Sequence, residues 1–207
     1  MLAESVVAGF LLVCLGCFAS VNLRNILKGH KKSESGKPHA EVEYPSGFIV
    51  GIVALGTFAY FAEVLLYLFL VFTDLINSPN AWFIHYQFPL MLYAQVLGIA
   101  LTVIGYYLFI WSVITRGKYA VSWEMRDSHK LVTWGSYHYV RHPSYLGYFL
   151  MFFSLFGLWP NLLTLIPLIA IPGYLKVTIQ EEQLLTQRFG EEYAEYKKKT
   201  GRFIPKF

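Results

Sequence analysis

Residues 145–179 read YLGYFLMFFSLFGLWPNLLTLIPLIAIPGYLKVTI, an apolar block with no acidic residue and one lysine, Lys176. As a single α-helix its roughly 35 residues would extend about 52 Å at 1.5 Å per residue. That is far longer than the ~30 Å hydrocarbon core of a bilayer, even for a tilted helix. Trp159-Pro160-Asn161 lies inside the block. Proline and asparagine punctuate helices, and tryptophan favours the membrane interface. The block therefore reads as a helical hairpin that enters a membrane, turns at Trp159-Pro160-Asn161 and returns. Pro167, Pro172 and Gly173 are expected to kink the returning arm.

Upstream lie three more apolar stretches, each long enough to cross alone: about Val6–Leu23, Phe48–Phe72 and Phe88–Thr115. The first lacks the basic leader of a signal peptide and reads as a retained helix. In the third, Gly98 and Gly105 share one helical face, and small residues so placed allow close helix packing in lipid. The 207 residues are 56% hydrophobic and 14% charged, against about 25% charged in a soluble domain. Two cysteines are far too few for a disulfide scaffold. The expected architecture is an all-α integral membrane protein with five transmembrane helices, the last two forming the hairpin. Residues 1–115 hold three helices and a polar cytoplasmic linker at 24–45. Residues 116–207 hold a connector, the hairpin and a cytoplasmic C-terminal helix.

The charges agree with five crossings. All 17 Lys and Arg residues fall in three segments, Arg24–Pro45, Arg116–Arg141 and Lys176 onward. The loop Thr73–Gln87 and the hairpin tip have none. With the N-terminus outside or lumenal, all three basic segments are cytoplasmic, as the positive-inside rule requires. The net charge of +4 is thereby explained by topology and gives no reason to expect a nucleic-acid partner. Cys14 and Cys17 form a C-x-x-C inside an apolar span and read as small core thiols. Glu63, also within a span, reads as a protonated or interhelical hydrogen-bonding group towards the outer half of the membrane.

Two polar cytoplasmic stretches flank the hairpin: Trp123–Gly147, WEMRDSHKLVTWGSYHYVRHPSYLG, and Gln180–Tyr196, QEEQLLTQRFGEEYAEY. If the hairpin arms are antiparallel, they bring His142 and Tyr145 beside Glu181 and Glu182 at one membrane face. No set of ligands with metal-site spacing accompanies His129 or His142, so no metal is expected. On the bland side, His142 can be a helix-start hydrogen bonder, Arg141 an interfacial anchor, and Glu181-Glu182 a solvated helix end.

HKLV at 129–132, Tyr137, RHPSYLG at 141–147, EE at 181–182 and FGEEYAEY at 189–196 together resemble the isoprenylcysteine carboxyl methyltransferase family. The resemblance covers about residues 119–207. Its RHPxYxG…EE pattern is shared with membrane methyltransferases that act on phospholipid amines. It implies an S-adenosylmethionine site at the cytoplasmic face. There, His129, Lys130, Leu131 and Val132 would offer backbone contacts. Tyr137, His142, Pro143, Ser144 and Tyr145 would wrap the cofactor, and Glu181 would bind it through its carboxylate. The residue types suit such a ligand: aromatic rings attract a sulfonium cation, and a carboxylate accepts from an ammonium or ribose hydroxyls. No Gly-rich strand–turn–helix is present, which sets the chain apart from the soluble methyltransferase fold.

The implied second substrate is a lipophilic methyl acceptor entering from the bilayer, a prenylcysteine carboxylate or a mimic of it. The family places an arginine four residues before the glutamate matching Glu181. Here that position is Val177. Lys176 or Arg141 is the expected substitute, which makes these two the candidate catalytic cations. Alternatives are a methyltransferase for phospholipid amines or thiols, a non-enzymatic membrane scaffold, and a lipid reductase, for which no nicotinamide motif is visible.

Overall fold

The computed structural model of the chain describes residues 1–30, 46–81, 84, 86–117 and 130–206. His129 and residues 31–45 lie outside the described residues, and residues 24–30, expected to start the polar linker 24–45, instead continue the first helix. Five α-helices follow in order: α1 (Glu4–His30), α2 (Gly47–Phe72), α3 (Met91–Arg116), α4 (Pro143–Leu158) and α5 (Ala170–Lys199). No β-strand occurs among the described residues, only an isolated parallel bridge between Val140 and Gly201. Among the described residues, four helical stretches are long and apolar enough to cross a membrane: Glu4–Asn25, Gly47–Phe72, Met91–Arg116 and Leu163–Lys199. At 16 residues, α4 is shorter, about 24 Å at helical rise.

The block at 145–179 does turn where the sequence punctuates it. After α4 ends at Leu158, the Asn161 side chain accepts from the backbone N–H of Leu163 (2.9 Å) and donates to the Trp159 carbonyl (2.9 Å). The chain then runs through a 3-10 helix, Leu163–Ile169, which holds Pro167, into α5. Pro172 falls in the first turn of α5, where its missing N–H leaves no helical bond unmade. At the tip, the Trp159 indole is buried against the Tyr67 ring, 5.3 Å between centroids. The helical geometry of α5 breaks later, at Gly190, whose φ of 49° suits glycine.

Helix directions alternate. Gly98 lies against Ser154 and Leu158, and Gly105 against Gly147 and Met151, so α3 and α4 are antiparallel. A Cβ on Gly147 would sit 2.7 Å from the Gly105 carbonyl oxygen, which is why backbones can meet only at glycine there. On the other side of the bundle, Gly56 abuts Ala170 and Gly173 abuts Val53, so α5 runs antiparallel to α2. Tyr67 donates to Glu4, and the Phe18 ring packs against those of Phe61 and Phe109, joining α1 to α2 and α3. One end of the bundle thus gathers the C-termini of α1 and α3, the N-termini of α2 and α4, and the polar half of α5. The outward faces keep large apolar residues such as Phe58, Leu97, Tyr107 and Phe153 exposed, as a lipid-facing surface requires. Glu63 is buried, and its Oε2 has no hydrogen-bond partner among the described residues. Cys14 and Cys17 are free thiols.

Candidate functional site

The site forms where the hairpin arms return to the basic end. Pro143 starts α4, its fixed φ suited to the first helical position. The helix projects Tyr145 and, one turn on, Tyr148 towards α5. From α5, Glu181 and Tyr174 share a face, since seven residues span about two turns. The Tyr145 hydroxyl donates to Glu181 Oε1 at 2.6 Å, and His142 Nδ1 lies 3.4 Å from Glu181 Oε2. The His142 and Tyr145 rings stack, 5.8 Å apart and 4° from parallel. Tyr145 and Tyr148 lie 4.7 and 5.6 Å from Tyr174, whose hydroxyl is bonded to Thr57 at 2.8 Å. Glu181 therefore stands at the rim of an aromatic wall.

Its neighbour Glu182 points elsewhere and is almost wholly buried. Glu182 Oε1 accepts from Arg141 Nε at 2.9 Å and Arg202 Nε at 3.0 Å, and lies 3.3 Å from His142 Nε2. Its Oε2 accepts from Arg202 Nη2 at 2.9 Å, with Lys197 Nζ 3.7 Å away. Arg141 also donates to the Thr200 carbonyl. The tail is sewn to the start of α4 by backbone bonds, Arg141 N–H to the Gly201 carbonyl (2.9 Å) and His142 N–H to the Arg202 carbonyl (3.1 Å). Burial alone would disfavour a charged His142. Its hydrogen bonds and charge attraction to Glu181 and Glu182 outweigh that, and hold its pKa above the ordinary imidazole value.

The connector completes one wall. Gly135, at φ +60°, opens a short 3-10 turn (Gly135–His138) and packs so close to Thr115 that a Cβ would lie 2.6 Å from its hydroxyl. That approach seats Tyr137 beside α3, with its hydroxyl close to the Ser112 and Ser144 side chains. Burial pushes the Tyr137 phenol up, opposed by the charge of Arg116. The Tyr137 carbonyl accepts from Tyr196 at 2.6 Å.

Of the residues expected from sequence, the structure brings together Tyr137, His142, Pro143, Ser144, Tyr145 and Glu181. Leu131 and Val132 are buried nearby, Leu131 in a small cluster with Tyr193 and Tyr196, while the Lys130 side chain is exposed. Neither candidate cation reaches the Tyr145–Glu181 pair: Arg141 is engaged by Glu182 and Thr200, and Lys176 is exposed on α5. Val177 is buried. Sequence reasoning missed Ser112, Arg116, Tyr148, Tyr174 and Arg202. Helical spacing carried a signal for two of them: Tyr148 follows Tyr145 by one turn, and Tyr174 precedes Glu181 by two. Among the described residues no group of acidic, histidine or cysteine side chains is placed to hold a metal ion.

Residues 97–187 match the model of the isoprenylcysteine carboxyl methyltransferase (ICMT) family. That span contains Arg141–Gly147 and Glu181-Glu182, on which the sequence resemblance rests. Similar curated proteins are the protein-S-isoprenylcysteine O-methyltransferases of Xenopus laevis, 36% identical over 116 residues (54% of this chain, 40% of that protein), and of Homo sapiens, 33% identical over 121 residues (54% and 41%). The chain spans about two fifths of the length of these relatives. A solved structure of the eukaryotic intramembrane Ras methyltransferase ICMT, without a monobody, aligns over 78% of this chain and 54% of that one, at 23% identity and a TM-score of 0.46.

Proposed function

We propose that this chain, whose residues 97–187 match the isoprenylcysteine carboxyl methyltransferase family, is a membrane methyltransferase. It would use S-adenosylmethionine to methylate the carboxylate of a lipophilic acceptor, a C-terminal prenylcysteine or a molecule of that shape. The observation that carries the reading is Glu181, held by Tyr145 and His142 at the rim of the Tyr145–Tyr148–Tyr174 wall.

That donor and ring set fits the cofactor. A carboxylate pairs with an ammonium or ribose hydroxyls, and the π-faces of tyrosines attract a cationic sulfonium. When bound, S-adenosylmethionine supplies an electrophilic methyl group. Tyr137, His142, Pro143, Ser144, Tyr145 and Glu181 would hold it, with Lys130, Leu131 and Val132 contributing backbone from the connector. His129, by the same reading, belongs to this set. The acceptor carboxylate is already ionised near neutral pH, so no general base is needed. What remains for the protein is to orient the acceptor oxygen and exclude water from it. The aromatic wall, with Tyr174 buried and Tyr145 and Tyr148 partly buried, performs the second task, and a cation is required for the first.

The alternating helix directions and the charge pattern support five crossings, with the N-terminus outside or lumenal and the site and C-terminus cytoplasmic. The acceptor would then enter sideways from lipid while the cofactor comes from water. The test uses the purified chain in lipid nanodiscs with methyl-labelled S-adenosylmethionine. Label should pass to a farnesylcysteine carboxylate. Transfer only to an amino-lipid or a thiol would move the acceptor class, and failure to bind the cofactor by calorimetry would refute the methyltransferase reading.

A further inference from the structure

We propose that Arg116, at the C-terminal end of α3, is the cation that orients the acceptor carboxylate in this chain. The inference rests on the methyltransferase reading above and supplies what that reading lacks. The position that carries arginine in the resembled family is the buried, apolar Val177. Arg141 is spent on Glu182 and the Thr200 carbonyl, and Lys176 is exposed on α5.

Arg116 is placed where those residues are not. It lies one helical turn after Ser112 and about two after Phe109, on the face of α3 that meets the site. Ser112 lies close to the Tyr137 hydroxyl, and the Phe109 ring lies 4.9 Å from Tyr148. The positive charge of Arg116 acts on the hydroxyls of Tyr137, Tyr145 and Tyr148, three residues of the site wall. Its side chain is half-buried, and its Nε is fully shielded with no hydrogen-bond partner among the described residues. No carboxylate forms a salt bridge with it among the described residues. A guanidinium with a shielded, unsatisfied N–H is costly unless a partner arrives. The planar fork matches a carboxylate, to which it can donate two parallel N–H bonds. At the end of α3 it stands on the membrane face, where a prenyl chain can remain in lipid while its carboxylate reaches polar ground.

The test compares wild type, Arg116→Gln, Arg116→Lys and a double variant that joins Arg116→Gln to Val177→Arg. Each is prepared as the full chain in nanodiscs, with farnesylcysteine as acceptor and cofactor affinity measured separately. Arg116→Gln should raise the acceptor KM by roughly 10- to 100-fold, the loss expected for a hydrogen bond to a charged group, while cofactor affinity stays within about twofold. Arg116→Lys should recover part of the loss, and Val177→Arg added to Arg116→Gln should recover more. Unchanged acceptor KM in an Arg116→Gln variant that binds cofactor normally overturns the assignment while the methyltransferase reading stands. A variant that loses cofactor binding in parallel, without recovery in the lysine or double variant, marks Arg116 as structural and also overturns it. A wild-type chain that methylates only amines or thiols removes the carboxylate role of Arg116 but not the methyl transfer. A wild-type chain that neither binds cofactor nor transfers methyl overturns both.

Discussion

Glu181 and Glu182 are adjacent in sequence and opposite in surroundings. Successive helical residues point about 100° apart, so one carboxylate faces the aromatic wall and the other the tail. Glu181 meets two neutral-capable donors, Tyr145 and His142, and stays partly accessible. Glu181→Gln should weaken S-adenosylmethionine binding by about 1.5–3 kcal/mol, the value of a charge-assisted hydrogen bond, or roughly 10- to 150-fold in Kd by calorimetry, with the melting temperature nearly unchanged. Glu182 is a different case. It is buried among Arg141, Arg202, His142 and Lys197, and removing one member of a buried ion cluster leaves charges unpaired. Glu182→Ala should destabilise the fold by about 3–5 kcal/mol, measured as a large fall in thermal midpoint in detergent, with any residual folded protein still binding cofactor. The Glu-Glu pair was visible in the sequence as a candidate site. The resemblance singled out Glu181 for the cofactor; that Glu182 anchors the tail was not legible, because that depends on where the tail returns.

At the level of helices and their joints, two contacts build the site. One is the glycine contact of α3 with α4, where the carbonyl of Gly105 lies in the space a Gly147 side chain would fill. Gly147→Leu should force the helices apart and cost about 1–3 kcal/mol or more through overpacking. A lowered thermal midpoint and loss of cofactor binding would report it, since Tyr145 and Tyr148 ride on the displaced helix. The other joint is the tail, bridged to Arg141 and His142 and locked by Glu182. His142 gives this joint a pH dependence. Its pKa is raised in the folded state, so its stabilising contribution is fully present below the unfolded imidazole value of about 6.5. It is lost as pH rises through the raised folded value. The thermal midpoint of wild type should therefore fall across that interval relative to His142→Gln. A parallel pH dependence in the two proteins would show that another group is responsible.

Taking the bundle entire, apolar side chains cover the outer faces, and basic residues collect at one end of an alternating set of helices. Single cysteines placed in a Cys14→Ser, Cys17→Ser background should be modified by a membrane-impermeant maleimide from opposite sides when sited at Thr73–Ser78 and at residues 31–37. Labelling from the same side would refute five crossings. The site lies at the basic end, and its position within the bundle follows from the hairpin alone. A hairpin returns its two mouths to one level, so residues about 40 apart, His142 and Glu182, meet there.

Hydropathy, local backbone chemistry and helical period are carried by neighbours in the chain. They were enough to specify the helical, membrane-embedded character, the turn at Trp159-Pro160-Asn161, the glycine face of α3 and the meeting of His142 and Tyr145 with the two glutamates. Other features waited on packing between distant segments: that Trp159 is buried, that Arg141 serves Glu182 and that Lys176 faces outward. An arginine's role is set by which carboxylate or empty space its long side chain meets. Here that is fixed by the return of the C-terminal tail onto the start of α4 and by the close approach of Gly135 to the end of α3.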